Sequence, residues 1–210
     1  MEDILEVYAQ DADPDYPRIC YDERPCLLVG DVLRPIPMQP NAPKKQDYEY
    51  KRGEAVVLLL AYNMDTGIRH TCITNTKTKI DYAIFFEQLL TQHYAHVKGL
   101  KVIQDNLNIH TKGAFYKAFE PQKALELTKR LTFHFTPKHG SWLNMAEIEF
   151  AAISKQCLNR RIADKDTLIK EVQAWQIQRN KKAVKIHWSF TVDKARQKLE
   201  KQYANVFSKQ

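Results

Sequence analysis

An unbroken apolar run from Ala55 to Tyr62 is the length of a strand and far short of the roughly 20 residues a spanning helix needs. After the turn Asp65-Thr66-Gly67 comes Ile68 to Thr74, rich in β-branched residues, and the two stretches together predict a hairpin. The period then changes. Ala83, Phe86, Leu90, Tyr94 and Val97 recur at helical spacing within Thr78 to Val97, and Leu100 to Asp105 reads as a strand again. Helix-forming stretches fill Thr111 to Phe119 and Pro121 to Lys129, Leu131 to Thr136 is a further strand, and helices are predicted over Trp142 to Cys157, Lys165 to Arg179 and Thr191 to Tyr203. Upstream, Val7 to Arg18 reads as extended, and Ile19 to Tyr21 and Cys26 to Val29 as two short apolar stretches interrupted by Asp22-Glu23-Arg24-Pro25. Pro35, Pro37, Pro40 and Pro43 make 34–46 a loop, since proline cannot donate to a ladder. Strands and helices in this order predict an α/β chain with a C-terminal helical extension.

The 210 residues, 44% hydrophobic and 27% charged, suit one soluble domain with a real core. The expected division is a lead-in over 1–16, a catalytic domain over 17–160 and a basic helical extension over 161–210 packed on it. The N-terminus, Met1-Glu2-Asp3-Ile4-Leu5, is acidic and unlike a signal peptide, so a cytoplasmic protein with no membrane contact is expected. Cys20, Cys26, Cys72 and Cys157 lack the paired spacing of a zinc site or a disulfide framework and read as reduced thiols. Charge is unevenly spread. Residues 1–50 hold 5 Lys/Arg against 11 Asp/Glu, whereas 51–210 hold 27 against 14. A basic surface around an acidic centre suits a polyanion held by its phosphates.

Three acids stand out. Asp105 ends the strand-like run Leu100 to Gln104, Glu147 follows 42 positions later near a helix start, and Asp22-Glu23 follows Ile19-Cys20-Tyr21. On the helix, Leu143, Ala146, Phe150, Ile153 and Cys157 form a core stripe at 100° per residue, with Asn144, Glu147 and Ala151 on its flank. Phase alone does not choose between Glu147 and Glu149, but Ala151 and Asn144, one turn either side, leave room beside Glu147. Carboxylates brought together repel by about 4 kcal/mol per pair at about 4 Å and an effective dielectric near 20. Hard divalent cations such as Mg²⁺ offset this with oxygen ligands, and a pair of them can cut a phosphodiester. Asn106 and His110 follow the strand end, Lys138 and His139 precede the later helix, and with Asn144 these are candidates for supporting the ligands or touching substrate. Trp175 and Trp188 read as core anchors. Lys181, Lys182, Lys185, Lys194, Arg196, Lys198 and Lys201 read either as a solvated face or as DNA contacts.

The element order matches a ribonuclease H-like fold, a mixed five-stranded sheet flanked by helices. The blocks Cys20-Tyr21-Asp22-Glu23-Arg24-Pro25, Asp105-Asn106-Leu107-Asn108-Ile109-His110 and Thr136 to Phe150 resemble the DDE-type transposases of bacterial insertion sequences in the mariner superfamily, a likeness running from about residue 1 to 203. The resemblance implies Asp22, Asp105 and Glu147 as a catalytic, metal-binding triad for Mg²⁺ or Mn²⁺, with two ions, and sets Glu149 aside. It further implies hydrolysis at element ends, then attack of the 3′-hydroxyl on target DNA, with no covalent protein intermediate. The partners it implies are DNA, at element ends and target, and a second copy in a homodimer assembled on DNA. No helix-turn-helix region precedes Asp22, so a separate polypeptide or the other product of a split reading frame is expected to supply end recognition. The competing expectations are another ribonuclease H-like nuclease and a non-catalytic DNA-binding remnant.

Overall fold

The structure, a computed structural model, describes residues 1–200. Five strands form one sheet in the order β3-β2-β1-β4-β5, with β1 Arg18–Asp31, β2 Tyr50–Asn63, β3 Ile68–Thr74, β4 Leu100–Gln104 and β5 Leu131–Phe135. The first three pair antiparallel, and β4 and β5 add on in parallel to β1. The sheet is mixed, as expected. Parallel neighbours need crossovers, and helices provide them. α2 Lys79–Gln88 leads from β3 to β4 through a π-helical turn at Leu89–His93, and α3 Lys112–Ala118 and α4 Pro121–Lys129 lead from β4 to β5.

The core divides by the parity of the strands. Along β2, Val56, Leu58, Leu60 and Tyr62 pack with α1 Glu2–Ala9, α5 Met145–Gln156, α6 Lys165–Lys181 and α7 Val192–Lys198. Val57, Leu59 and Ala61 pack against α2, α3 and α4 on the opposite face. A strand buried on both sides has no polar face to show, which is why 55–62 is uninterrupted in its hydrophobicity.

Four local expectations need correction. Residues 2–9, partly assigned to an extended lead-in, form α1, whose Ile4, Leu5 and Val7 are buried and whose first turn carries Glu2 and Asp3 at the favourable end of the helix dipole. The two apolar stretches around Asp22 are one 14-residue strand, β1. Pro25 is tolerated because β4 pairs β1 only over Arg18, Ile19 and Cys20, leaving an edge beyond. The helix predicted from Trp142 begins at Met145, after a 3₁₀ turn at Ser141–Leu143. The long helix over 78–97 gives way to the π turn, although Ala83, Phe86, Leu90, Tyr94 and Val97 are all buried as their spacing predicts. Trp175 is buried, and Trp188 is partly buried edge-on to Tyr8, as core anchors should be. The predicted helix end at 201–203 and Lys201 lie outside the described residues. Among the described residues no helix is long and apolar enough to cross a membrane.

Candidate active site

Strand register brings two of the acids side by side. Cys20 pairs with Ile103 across the parallel β1–β4 ladder, so Asp22 and Asp105 each stand two residues beyond a paired position, at the carboxyl end of β4. Alternation then sorts the neighbours of Asp22. Cys20 belongs to the α5-side core and Tyr21 to the α2-side core, so Asp22 projects toward α5 and Glu23 away from it. Asp22, Glu23, Arg24, Pro25, Glu147, Phe150 and Ala151 line one cavity of about 410 Å³.

The first turn of α5 delivers Glu147. Asn144 is its N-cap: Oδ1 accepts from Ala146 N (3.1 Å), and Nδ2 donates to Tyr21 O (2.8 Å) and reaches toward Asp22 Oδ2 (3.5 Å). One buried amide thereby begins the helix and fastens it to the strand that carries Asp22. Glu147 is exposed. Glu149 has a different fate. Its carboxylate is fully buried, accepting from Arg69 Nε (2.7 Å) and Nη2 (2.8 Å) and from Arg179 Nε (2.8 Å) and Nη2 (2.9 Å). Burial pushes the Glu149 carboxyl up, but the two guanidinium groups outweigh it and hold it below its usual range. Glu149 is thus committed to Arg179 and to Arg69, which is buried in β3 over the Tyr62 ring.

His110 is buried and makes no contact with solvent. Its Nδ1–H donates to Asp105 Oδ1 (2.5 Å) and its Nε2–H to Glu23 Oε2 (3.0 Å), while Lys77 Nζ lies 2.5 Å from Glu23 Oε1. Burial opposes the imidazolium charge, yet these two carboxylates raise its pKa to about 9. In return, the hydrogen bond from His110 holds Asp105 below its usual value, and His110 and Lys77 together overcome the burial of Glu23. The imidazolium therefore sets the Asp105 side chain from behind.

Asp22 has no cationic partner among the described residues. Burial, followed by the charges of Glu23, Glu147 and Asp105, lifts its pKa to about 7, against the pull of the Glu23 backbone N–H on Oδ1 (2.8 Å). Among the described residues no three His, Cys, Asp or Glu side chains are already gathered as a group that could hold a metal ion. The three acids are close enough for Asp22 to respond to the other two, while separate partners hold two of them: His110 for Asp105, Asn144 for Asp22. An all-oxygen donor set with surplus negative charge has the chemistry of a hard divalent cation site.

Lys138 and His139 are exposed in the turn after β5, and Asn106 is exposed beyond β4. Thr136 N donates to Gln104 O (2.8 Å), so this turn starts beside the residue preceding Asp105. His139 has φ 61, and a Cβ at Gly140 would come within 2.6 Å of Pro137, which makes the turn tight. Lys77 and Arg24 join the site without having been expected. Strand alternation carries a signal for Arg24, two positions from Asp22; nothing local marks Lys77. Part of the basic excess lines a separate cavity of about 950 Å³ at α5 and α6, with Lys155, Arg160, Arg179 and Lys182. Arg160 is paired there with Glu171.

The family of DDE superfamily endonucleases matches the chain over residues 17–169. No curated protein matches the chain. Among solved structures, the chain is similar to the Mos1 mariner paired-end complex with Mn, at 15% identity and a TM-score of 0.57, over 86% of this chain and 54% of that one. Against the Mos1 strand transfer complex the values are 14%, 0.58, 86% and 54%. Against the Mos1 transposase paired-end complex with the left transposon end they are 14%, 0.55, 81% and 52%. At such identities the shared property is the ribonuclease H-like fold. The chain spans about half the length of these relatives.

Proposed function

The chain belongs to the DDE superfamily endonucleases, and from that premise we propose that it is the catalytic part of a mariner-type insertion-sequence transposase, cutting DNA at the element ends and joining them to target DNA. The observation that supports the reading is that Asp22 and Glu147 line one cavity and that Glu147 and Asp105 both lie near enough to help burial push Asp22 to about 7. Asp22, Asp105 and Glu147 would hold Mg²⁺ or Mn²⁺, as two ions. When bound, such ions supply an activated attacking oxygen and stabilise the leaving oxygen of a phosphodiester.

The protein's own side chains do the rest. Asn144 locks the Glu147 end of α5 to the Asp22 strand, so the two carboxylates keep a fixed relation. Charged His110 keeps Asp105 ionised and oriented while balancing the buried Glu23. Asn106, Lys138 and His139, exposed near Asp105, are assigned to phosphate contact. We take 17–160 as the catalytic domain, with 1–16 as a lead-in and 161–210 as a basic extension. The Mos1 relatives are seen as paired-end and strand transfer complexes, and on that likeness we assign this chain DNA as partner and a second copy in a homodimer on DNA.

Product analysis separates this reading from a simple nuclease. Wild-type protein, given its element ends, Mn²⁺ and a target plasmid, should yield joined strands, and Asp105→Ala should yield neither nicks nor joints. Nicks without joints would favour the nuclease, and equal products from both proteins would remove Asp105 from the site.

A further inference from the structure

Asp22 and Arg24 are two positions apart on β1 and so face the same side of the sheet, the side covered by α5. Both line the cavity that holds Glu147. A guanidinium among Asp22, Glu23 and Glu147 would ordinarily pair with one of them, but Arg24 forms no ion pair among the described residues. It is held instead from α5. Its Nη1 donates to Ser154 Oγ and to Phe150 O (3.3 Å), which uses both hydrogens of that nitrogen. Arginine has five N–H donors in a planar fork. The three on Nε and Nη2 have no protein acceptor among the described residues, and that edge of the fork matches two oxygens of a phosphate.

Tying β1 to α5 would not by itself explain this arrangement. The tie needs only Nη1, and it leaves the exposed guanidinium on the wall of an acidic cavity beyond ion-pair reach of the carboxylates that share it. We infer that Arg24 is a substrate-binding residue, taking a backbone phosphate of the nucleic-acid strand laid across the carboxylates. The inference rests on the phosphodiester substrate proposed above. Its consequence is local: Arg24 offsets the repulsion a phosphate meets from Asp22 and Glu147, and fixes the strand's position along α5.

Binding of the full chain to a fluorescently labelled DNA duplex, read by anisotropy in Ca²⁺ across a salt series, tests the role. Each lost phosphate contact removes about 0.9 from the slope of log affinity against log salt. Arg24→Gln should therefore be shallower than wild type by about that amount. Arg24→Lys should keep the slope, because the charge remains, and Ser154→Ala, which loosens the tie to α5 but spares the charge, should keep it too. An Arg24→Gln slope equal to wild type would overturn the inference, as would an equal loss in Ser154→Ala, which would mark Arg24 as a structural tie. Wild-type protein with no salt-dependent DNA binding would instead remove the nucleic-acid reading, and this inference with it.

Discussion

Replacing Glu149 with Gln strips the counter-charge from Arg69, a guanidinium with no solvent exposure, whereas Glu147→Gln alters a side chain that faces solvent. Breaking a buried pair by removing one partner costs about 3–5 kcal/mol, while an exposed substitution stays within about 0.5 kcal/mol. Urea melts should show that contrast between two acids two positions apart. Asp22 gives a prediction in pH. Its carboxyl titrates near 7 in the folded chain against an ordinary value of 3.8, so between these limits the native state holds a proton that the unfolded state has lost. The native state is thus not penalised below about 4, and it loses stability as pH rises toward 7. Asp22→Asn should erase that decline and, with divalent ions chelated, be about 1–2 kcal/mol more stable than wild type at pH 8 after allowing for solvent screening. A steeper decline in the variant would contradict the assignment. At this scale the sequence marked Asp22, Asp105 and Glu147 as candidates by their places on strand end and helix start. It did not expose which helix acid was free, because the arginines that occupy Glu149 come from β3 and α6, 80 and 30 residues away.

At the level of elements, the start of α5 is the joint on which the site turns. Asn144→Ala removes the cap, worth about 1 kcal/mol, and leaves the Tyr21 carbonyl without its donor, worth about 1–3 kcal/mol more. Asn144→Asp restores the cap but not the donor, and sets a further negative charge beside Asp22. Denaturant midpoints should therefore fall for both variants, with the aspartate failing to rescue the alanine despite being a good N-cap. Helical periodicity legibly placed the buried stripe Leu143, Ala146, Phe150, Ile153 and Cys157, all of it in the core. It placed the helix start three residues early, since the 3₁₀ turn at Ser141–Leu143 has a similar apolar spacing and only the bonds made by Asn144 mark the boundary. β1 was split at Asp22-Glu23-Arg24-Pro25 for a comparable reason. Proline reads as a breaker unless one knows that the β4 neighbour has already ended.

For the whole molecule, the order of strands and helices was enough to anticipate a mixed sheet, because parallel β4 and β5 require helical crossovers that the 3.6-residue period announces. Less legible was how charge is shared across the fold. The acidic first fifty residues include Asp22 and Glu23, while Lys77 and His110, which neutralise Glu23, arrive from the α2-side of the sheet. The distribution leaves a local surplus of negative charge at Asp22 and Glu147, on a chain whose net charge is +7. The most direct test of that surplus as a metal-dependent cutting site is nicking of supercoiled DNA by wild type and Glu147→Gln, with and without Mn²⁺. The account predicts nicks from wild type only when Mn²⁺ is present, and none from the variant at undiminished fold stability. Nicking by Glu147→Gln at the wild-type rate, or by wild type in chelator, would contradict it.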